Sequence, residues 1–275
     1  MPNIDTLIQD LKAVILSGQV KVPDPELVYQ EFGTRMAQFL KAEVEGWGTK
    51  RPFTLRMSNL GKNDCQLWYE AKGYSKHEEM SADALLKFAY GDIIEELMLS
   101  LCQLAGHSVE RRQETVEVDG VKGHLDAVID GEVVDVKSCS SYSFEKFQDG
   151  SFKTDDPFGY IHQISGYGTA LGKSVGYFLP VDKTLGHITL AKVDKLQDTH
   201  ARIQHIKEVL AKDTPPPNDC SIKEEKNGNK YLAPPCSYCA YKHHCHKNLR
   251  TFVYSTGPRF FTHVESEPRV MEKEK

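Results

Sequence analysis

Two aspartates and a lysine stand at a spacing that could hold a metal ion against a phosphate. They lie in the runs His124-Leu125-Asp126-Ala127-Val128-Ile129 and Glu132-Val133-Val134-Asp135-Val136-Lys137, separated by Asp130-Gly131. Asp-Gly between two apolar runs predicts a tight hairpin, because a type I′ turn needs positive φ at both central residues. Pairing Ile129 with Glu132 sets Asp126 across from Asp135 and His124 across from Lys137. Side chains two apart share a face, so these four form one polar patch. Leu125, Ile129, Val134 and Val136 line the other face. Like charges directly opposite destabilise a sheet unless something lies between them. A divalent cation is the obvious candidate, and two facing carboxylates with a lysine one pleat along would suit metal-dependent phosphodiester hydrolysis. A surface hairpin with solvated charges carries the same pattern, so what flanks it decides.

The flanking elements read as follows. Residues 4–16 and 25–44 have helical spacing, through Leu7, Leu11, Val14 and Ile15 in the first and Leu27, Val28, Phe32, Met36, Phe39 and Leu40 in the second. Asp24-Pro25 supplies the cap and first turn of the second helix. Ser81 caps a long helix to about residue 105, with Gly106 at its C′ position. Strands follow over about 108–118, with a turn at Asp119-Gly120 before the central hairpin. A short helix is expected at 144–147, and another runs from Asp156-Pro157 to Leu171. Strands at 175–180 and 187–193 precede an amphipathic helix at 195–212. This order predicts an α/β fold with a mixed central sheet flanked by helices. The expected division is an N-terminal helical segment (1–80), a core (81–212), a cysteine-bearing segment after Pro215-Pro216-Pro217 (213–250), and a charged, loosely ordered tail (251–275).

Composition narrows the class. The chain has 275 residues and a net charge of −5, which argues against coating nucleic acid by bulk attraction but not against an acidic metal site facing phosphates. No apolar run has the length of a membrane span and no signal peptide is evident, so a cytoplasmic protein with no membrane partner is expected. Seven cysteines in such a protein suggest metal binding or burial before disulfides.

Other side chains have more than one reading. Glu95 and Glu96 lie on the long helix, one of them expected to face solvent, and Gly91 shares a face with Glu95 one turn away. Gln163 and Tyr167, four apart, form one polar edge of a helix and could position a phosphate or a catalytic group. Cys236-x2-Cys239-x5-Cys245 with His246 could make a Cys3His zinc site. Cys65 and Cys220 compete as a more distant ligand. Cys102 lies among leucines and reads as core, and Cys139 has no assigned role.

Taken in order, Gly91-x3-Glu95, Gly123-His124-Leu125-Asp126, Glu132-Val133-Val134-Asp135-Val136-Lys137 and Gln163-x3-Tyr167 resemble the motif series of the RecB-like branch of the PD-(D/E)XK nucleases. The CRISPR-associated RecB-like exonucleases and the AddB type share one cysteine before the nuclease core and three after it, which bind a [4Fe-4S] cluster. Cys65 and then Cys236, Cys239 and Cys245 are similar to that arrangement. Phage-encoded exonucleases resemble the chain most closely, in Met57-Ser58-Asn59-Leu60-Gly61-Lys62 and Cys236-Ser237-Tyr238-Cys239-Ala240-Tyr241-Lys242. The resemblance spans roughly residues 55–250. It implies a restriction-endonuclease-like α/β core and a DNA exonuclease of phage or bacterial recombination, in the host cytoplasm if phage-encoded. Its Mg2+ or Mn2+ would be held by Glu95, Asp126, Asp135 and the carbonyl of Val136. Lys137 would orient water or stabilise the transition state, and Gln163 and Tyr167 would position the strand or the lysine. Single-stranded DNA or duplex ends, a second copy of the chain and a single-strand annealing protein are the implied partners. Many relatives carry His where this chain has Glu95, and a carboxylate there suits a hard cation at least as well. Spacing alone keeps Zn2+ open at the cysteines; Cys65 favours the iron–sulfur cluster.

Overall fold

A computed structural model describes residues 2–49, 52–76 and 81–273. In chain order the helices and strands begin with α1 (Leu7–Ser17), α2 (Pro25–Gly46), α3 (Asp64–Ala71) and α4 (Ala82–Leu104). Then come β1 (Val109–Glu110), β2 (Thr115–Val118), β3 (Val121–His124), β4 (Ala127–Ile129), β5 (Glu132–Cys139), α5 (Ser141–Asp149), α6 (Tyr160–Ala170), β6 (Gly176–Asp182) and β7 (Ala191–Val193). The chain ends with α7 (Thr199–Ala211), β8 (Ile222–Glu224), β9 (Lys230–Leu232), α8 (Lys242–Cys245), β10 (Arg250–Tyr254), β11 (Gly257–His263) and β12 (Met271–Lys273). Two compact units result: Met1–Ser58, Met80–Asp156 and Tyr160–Ala201 in one, and Asn59–Glu79, Pro157–Gly159 and Arg202–Lys275 in the other.

The first unit is a five-stranded mixed sheet in the order β1-β4-β5-β6-β7. Only β5 and β6 run parallel, and α5 and α6 lie in the connection between them, as a parallel crossover requires. Asp130 (φ 51°) and Gly131 (φ 84°) make the expected tight turn, with Ile129 opposite Glu132. Alternation divides the hairpin as expected at Ile129, Val134 and Val136, whereas Leu125, expected on the same face, is buried outside their cluster. Ala127, Ile129, Val134 and Val136 join Leu7, Leu11, Val14, Met98, Leu99 and Cys102 in one buried cluster, so α1 and α4 cover that face. Cys102 is core, as its leucine neighbours suggested. The Ser81 hydroxyl accepts from Ala84 N (3.2 Å) and opens α4. Asp156 takes the N–H groups of Tyr160 and Ile161, so α6 starts a turn later than the Asp-Pro pair implied.

The second unit holds α3, most of α7 and a five-stranded antiparallel sheet in the order β12-β10-β11-β9-β8. The stretch from Thr251 is therefore not loosely ordered. Phe252, Phe260 and Phe261 are buried there, and Arg250 on β10 pairs with Glu272 on β12 and with Glu267 in the loop between β11 and β12. Among the described residues, no helix is long and apolar enough to cross a membrane.

Candidate active site

The strand that brings in Asp126 is bent. Residues 121–124 pair with β2, residues 127–129 pair with β5, and the two between them bond elsewhere. Leu125 N donates to Glu114 O (3.1 Å), and Gln113 N donates to Asp126 O (3.2 Å). The expectation that His124 faces Lys137 is therefore wrong: His124 lies opposite Thr115, and its ring meets the Thr115 hydroxyl at 3.1 Å. Pairing with β5 ends at Ala127, and the bend at residues 125 and 126 turns His124 onto β2. The bend has a consequence for β5, whose edge is left open beside Asp126. Val136 N donates to Asp126 Oδ2 (2.7 Å), a side chain taking the place of the missing strand. A paired residue directs its N–H and C=O to the same edge, so the Val136 carbonyl shares that edge with the Asp126 carboxylate.

Gly123 is where this bend passes closest to its neighbours. A Cβ there would lie 2.8 Å from Met57 and from the Tyr167 ring, so only glycine admits both.

Four charged groups converge at the opened edge. Asp135 is fully buried, and its Oδ2 lies 2.6 Å from Lys137 Nζ. Among the described residues, Asp135 Oδ1 meets no hydrogen-bond donor. Lys137 Nζ also donates to Gln163 Oε1 (3.1 Å), and Gln163 Nε2 donates to the Tyr167 hydroxyl (3.0 Å). Gln163 and Tyr167 are thus joined to the lysine in one hydrogen-bonded chain. The ring of Tyr160 lies 4.8 Å from the ammonium, a cation–π contact that nothing in the sequence singled out.

Glu95, and not Glu96, is the helix acid of this group. Glu96 turns to Arg112 (2.6 Å), whereas Glu95 accepts from Gln113 Nε2 (2.5 Å) and feels Asp135 and Lys137. Among the described residues, no other element comes within 4 Å of where a Gly91 side chain would begin, so the glycine serves no close approach among them.

The electrostatics are those of like charges out of water. Burial pushes the Glu95 carboxyl up to about 7, with Asp135 and Asp92 adding to it against the Gln113 hydrogen bond and Lys137. Burial, then Asp135 and Glu95, hold Asp126 well above the usual carboxylate range. Burial raises Asp135 too, against the pull of Lys137. For Lys137 the desolvation cost is outweighed by Asp135 and Asp126, so the amine stays protonated. Buried charges persist where they are paired, and here three acids share one lysine.

In the second unit five thiols line one cavity: Cys65, Cys220, Cys236, Cys239 and Cys245. Cys65 shares a hydrogen bond with Cys245, and Cys220 with Cys236 and Cys245. Asn63 Nδ2 and Tyr241 N each point at a sulfur, those of Cys236 and Cys239 (both 3.4 Å). Lys242 is buried against the same cavity. His246 is not among the lining residues and meets Asn218 instead (3.1 Å), so Cys65 and Cys220 reach the pocket and the proposed histidine does not.

Among the described residues no three His, Cys, Asp or Glu side chains are already gathered in metal-ligating geometry. The donor sets nevertheless fit by their chemistry. Hard carboxylates with an unpartnered buried oxygen suit Mg2+ or Mn2+, and four or more thiols in one apolar pocket suit iron–sulfur or zinc.

No family model and no curated protein matches this chain. Among solved structures, that of SSO0001 is similar over 75% of this chain and 93% of its own, at 16% identity and a TM-score of 0.43. An alkaline exonuclease (LHK-Exo) from Laribacter hongkongensis is similar over 57% of this chain and 84% of its own, at 16% identity and a TM-score of 0.34. A phage-related exonuclease from Haemophilus somnus 129PT is similar over 58% and 92%, at 16% identity and a TM-score of 0.39. Likenesses this distant do not decide what the chain does; the residues of the site must.

Proposed function

We propose that the chain is a metal-dependent deoxyribonuclease of the PD-(D/E)XK type, acting on DNA ends as an exonuclease in phage or bacterial recombination. The observation that carries the reading is the gathering of the buried Asp126 and Asp135 and the half-buried Glu95 around Lys137 at the opened edge of β5. A fold has no reason to collect three acids, two of them buried, around one amine unless a further positive charge belongs there. The motif series that ends in Gln163 and Tyr167 supports the exonuclease assignment.

Mg2+ or Mn2+, held by Glu95, Asp126, Asp135 and the Val136 carbonyl, would supply the acidity that makes water a nucleophile at neutral pH and charge to offset the phosphate. Lys137 stays protonated and presents a point charge, suited to a phosphate oxygen as negative charge builds. Gln163 accepts from the ammonium and is itself fixed by the Tyr167 hydroxyl, so the lysine is aimed before substrate arrives. Tyr160 covers its other side. Asp126 holds the Val136 amide and so keeps the neighbouring carbonyl in place.

In the second unit, Cys65, Cys236, Cys239 and Cys245 would hold a [4Fe-4S] cluster of structural role, with Zn2+ the alternative occupant. The N–H donors aimed at Cys236 and Cys239 are of the kind that steady bound thiolates. Residues 65 and 236 are far apart in sequence, and a link between them would remove much chain entropy from the unfolded state.

End-labelled linear DNA and closed circular DNA, each with Mg2+ and with excess EDTA, test the reading. Linear DNA should be degraded from its ends, with EDTA abolishing the reaction. Cleavage undiminished in EDTA would remove the metal site, and a circle cut as fast as the linear form would remove the exonuclease assignment.

A further inference from the structure

One residue outside the motif series touches two of the three acids. Gln113 lies in the loop between β1 and β2, and its backbone N–H donates to Asp126 O (3.2 Å) while its side-chain Nε2 donates to Glu95 Oε1 (2.5 Å). Its backbone is left-handed, at φ 54°. A non-glycine residue in that region persists only where its surroundings over-determine it, and such residues gather at functional sites. The same loop is clamped on either side of Gln113. Arg111, also left-handed at φ 56°, forks onto Glu114 through two bonds (2.6 and 2.7 Å), and Glu114 O receives Leu125 N (3.1 Å). The loop is therefore built to hold one amide against Glu95 while gripping the strand that carries Asp126.

We propose that Gln113 is a positioning residue that sets Glu95 relative to Asp126 for cation binding, a reading that rests on the metal-dependent nuclease assigned above. The chemistry of an amide suits that task. A carboxylate has about four acceptor sites, so one neutral donor fixes its orientation and leaves lone pairs for a cation. Lysine or arginine at the same place would neutralise the acid and compete with the metal. Groups that orient ligands from behind commonly cost ~10- to 100-fold in metal affinity or activity when removed. Glu95 comes from a helix and Asp126 from a bent strand, so no single element fixes their relation; Gln113 does.

The left-handed backbone gives a clean test. Gln113→Gly deletes the amide while easing the φ, since glycine enters that region freely. A residue of merely structural worth would lose stability and function together. The proposal expects the opposite: the metal-free Gln113→Gly protein melts at or above the wild-type temperature. Its affinity for Mn2+, followed by electron paramagnetic resonance, falls ~10- to 100-fold. The Mg2+ concentration giving half-maximal cleavage rises by a similar factor, and the loss of rate shrinks as Mg2+ is raised. Wild-type Mn2+ affinity in Gln113→Gly overturns the proposal, as does a fall in melting temperature that accounts for the loss. Should the wild-type protein cleave no DNA with any cation, the nuclease assignment fails, and the Mn2+ titration still judges Gln113 by itself.

Discussion

Asp126→Asn removes the charge that the metal-free site tolerates least. Asp126 is 8% exposed, and burial with the facing charges of Asp135 and Glu95 keeps its carboxyl well above the usual range. Asparagine has the same size and an oxygen to accept the Val136 amide now at 2.7 Å, so the change is close to one of charge alone. A carboxyl whose pKa rises on folding binds more protons folded than unfolded. Its share of stability is complete below the unfolded pKa and is lost as pH rises through the folded one. Glu95 gives the scale: a move from 4.5 to about 7, at about 1.4 kcal/mol per unit, is about 3 kcal/mol of stability lost across that window. Asp126 is more deeply buried than Glu95, so deleting its charge should return at least about 3 kcal/mol at pH 8, or roughly 6–12 °C in melting temperature. Thermal unfolding by circular dichroism in EDTA measures this. Asp126→Asn should melt higher than wild type at pH 8 and show a smaller gain at pH 5, nearer the unfolded pKa, where less of the cost of the raised carboxyl has built up. Mg2+ should raise the wild-type melting temperature at pH 8 and leave the variant unmoved. A variant less stable than wild type at pH 8, or a gain as large at pH 5, would refute the electrostatic account.

Further outcomes follow from the same geometry. Lys137→Met breaks the 2.6 Å pair with a fully buried Asp135 and should cost about 3–5 kcal/mol in urea unfolding; adding Asp135→Asn should restore most of it, and a single variant as stable as wild type would speak against the pair. Cleavage at limiting Mg2+ should climb with pH to a plateau above about 7, because Glu95 must shed its proton to bind a cation; a profile flat down to pH 5 would exclude Glu95 as a ligand. Anaerobically purified protein should be brown and contain iron, and Cys65→Ala should bleach it; stoichiometric zinc without iron would overturn the cluster. Iron kept in Cys65→Ala but lost in Cys220→Ala would pass the fourth ligand position to Cys220.

Much of this site was legible in the sequence because its main pair is local. Asp130-Gly131 determines the turn, the turn sets residues 127–129 against 132–134, and Asp126 and Asp135 come next to each other just where that pairing ends. What lay beyond the bend was not legible. The pattern around His124 is that of a continuing strand, and only the bonds of Leu125 and Asp126 to residues 113–114 show why it turns away. Gln113 and Tyr160 were invisible for a related reason: one sits in a loop and the other on a helix, and their roles depend on contacts far along the chain. The choice of Glu95 over Glu96 came from the motif resemblance, and the physical ground for it is Arg112, which claims Glu96. The C-terminal sheet was hidden by the charged run at its end; the burial of Phe252, Phe260 and Phe261 explains how the segment can fold. Five thiols around one pocket could be suspected from spacing only in part, since Cys65 and Cys220 have no periodic link to the Cys-x2-Cys pair.

The most direct measurement is the initial rate of Mg2+-dependent degradation of end-labelled linear DNA by wild-type protein and by Asp135→Ala and Lys137→Ala, each first shown to be folded by circular dichroism. Losing a metal ligand or the charge that faces the phosphate should raise the barrier by at least about 3 kcal/mol, or ~10²-fold in rate. The account predicts measurable cleavage by the wild type and a loss of at least that size in both variants. Near-wild-type rates in either folded variant would contradict it.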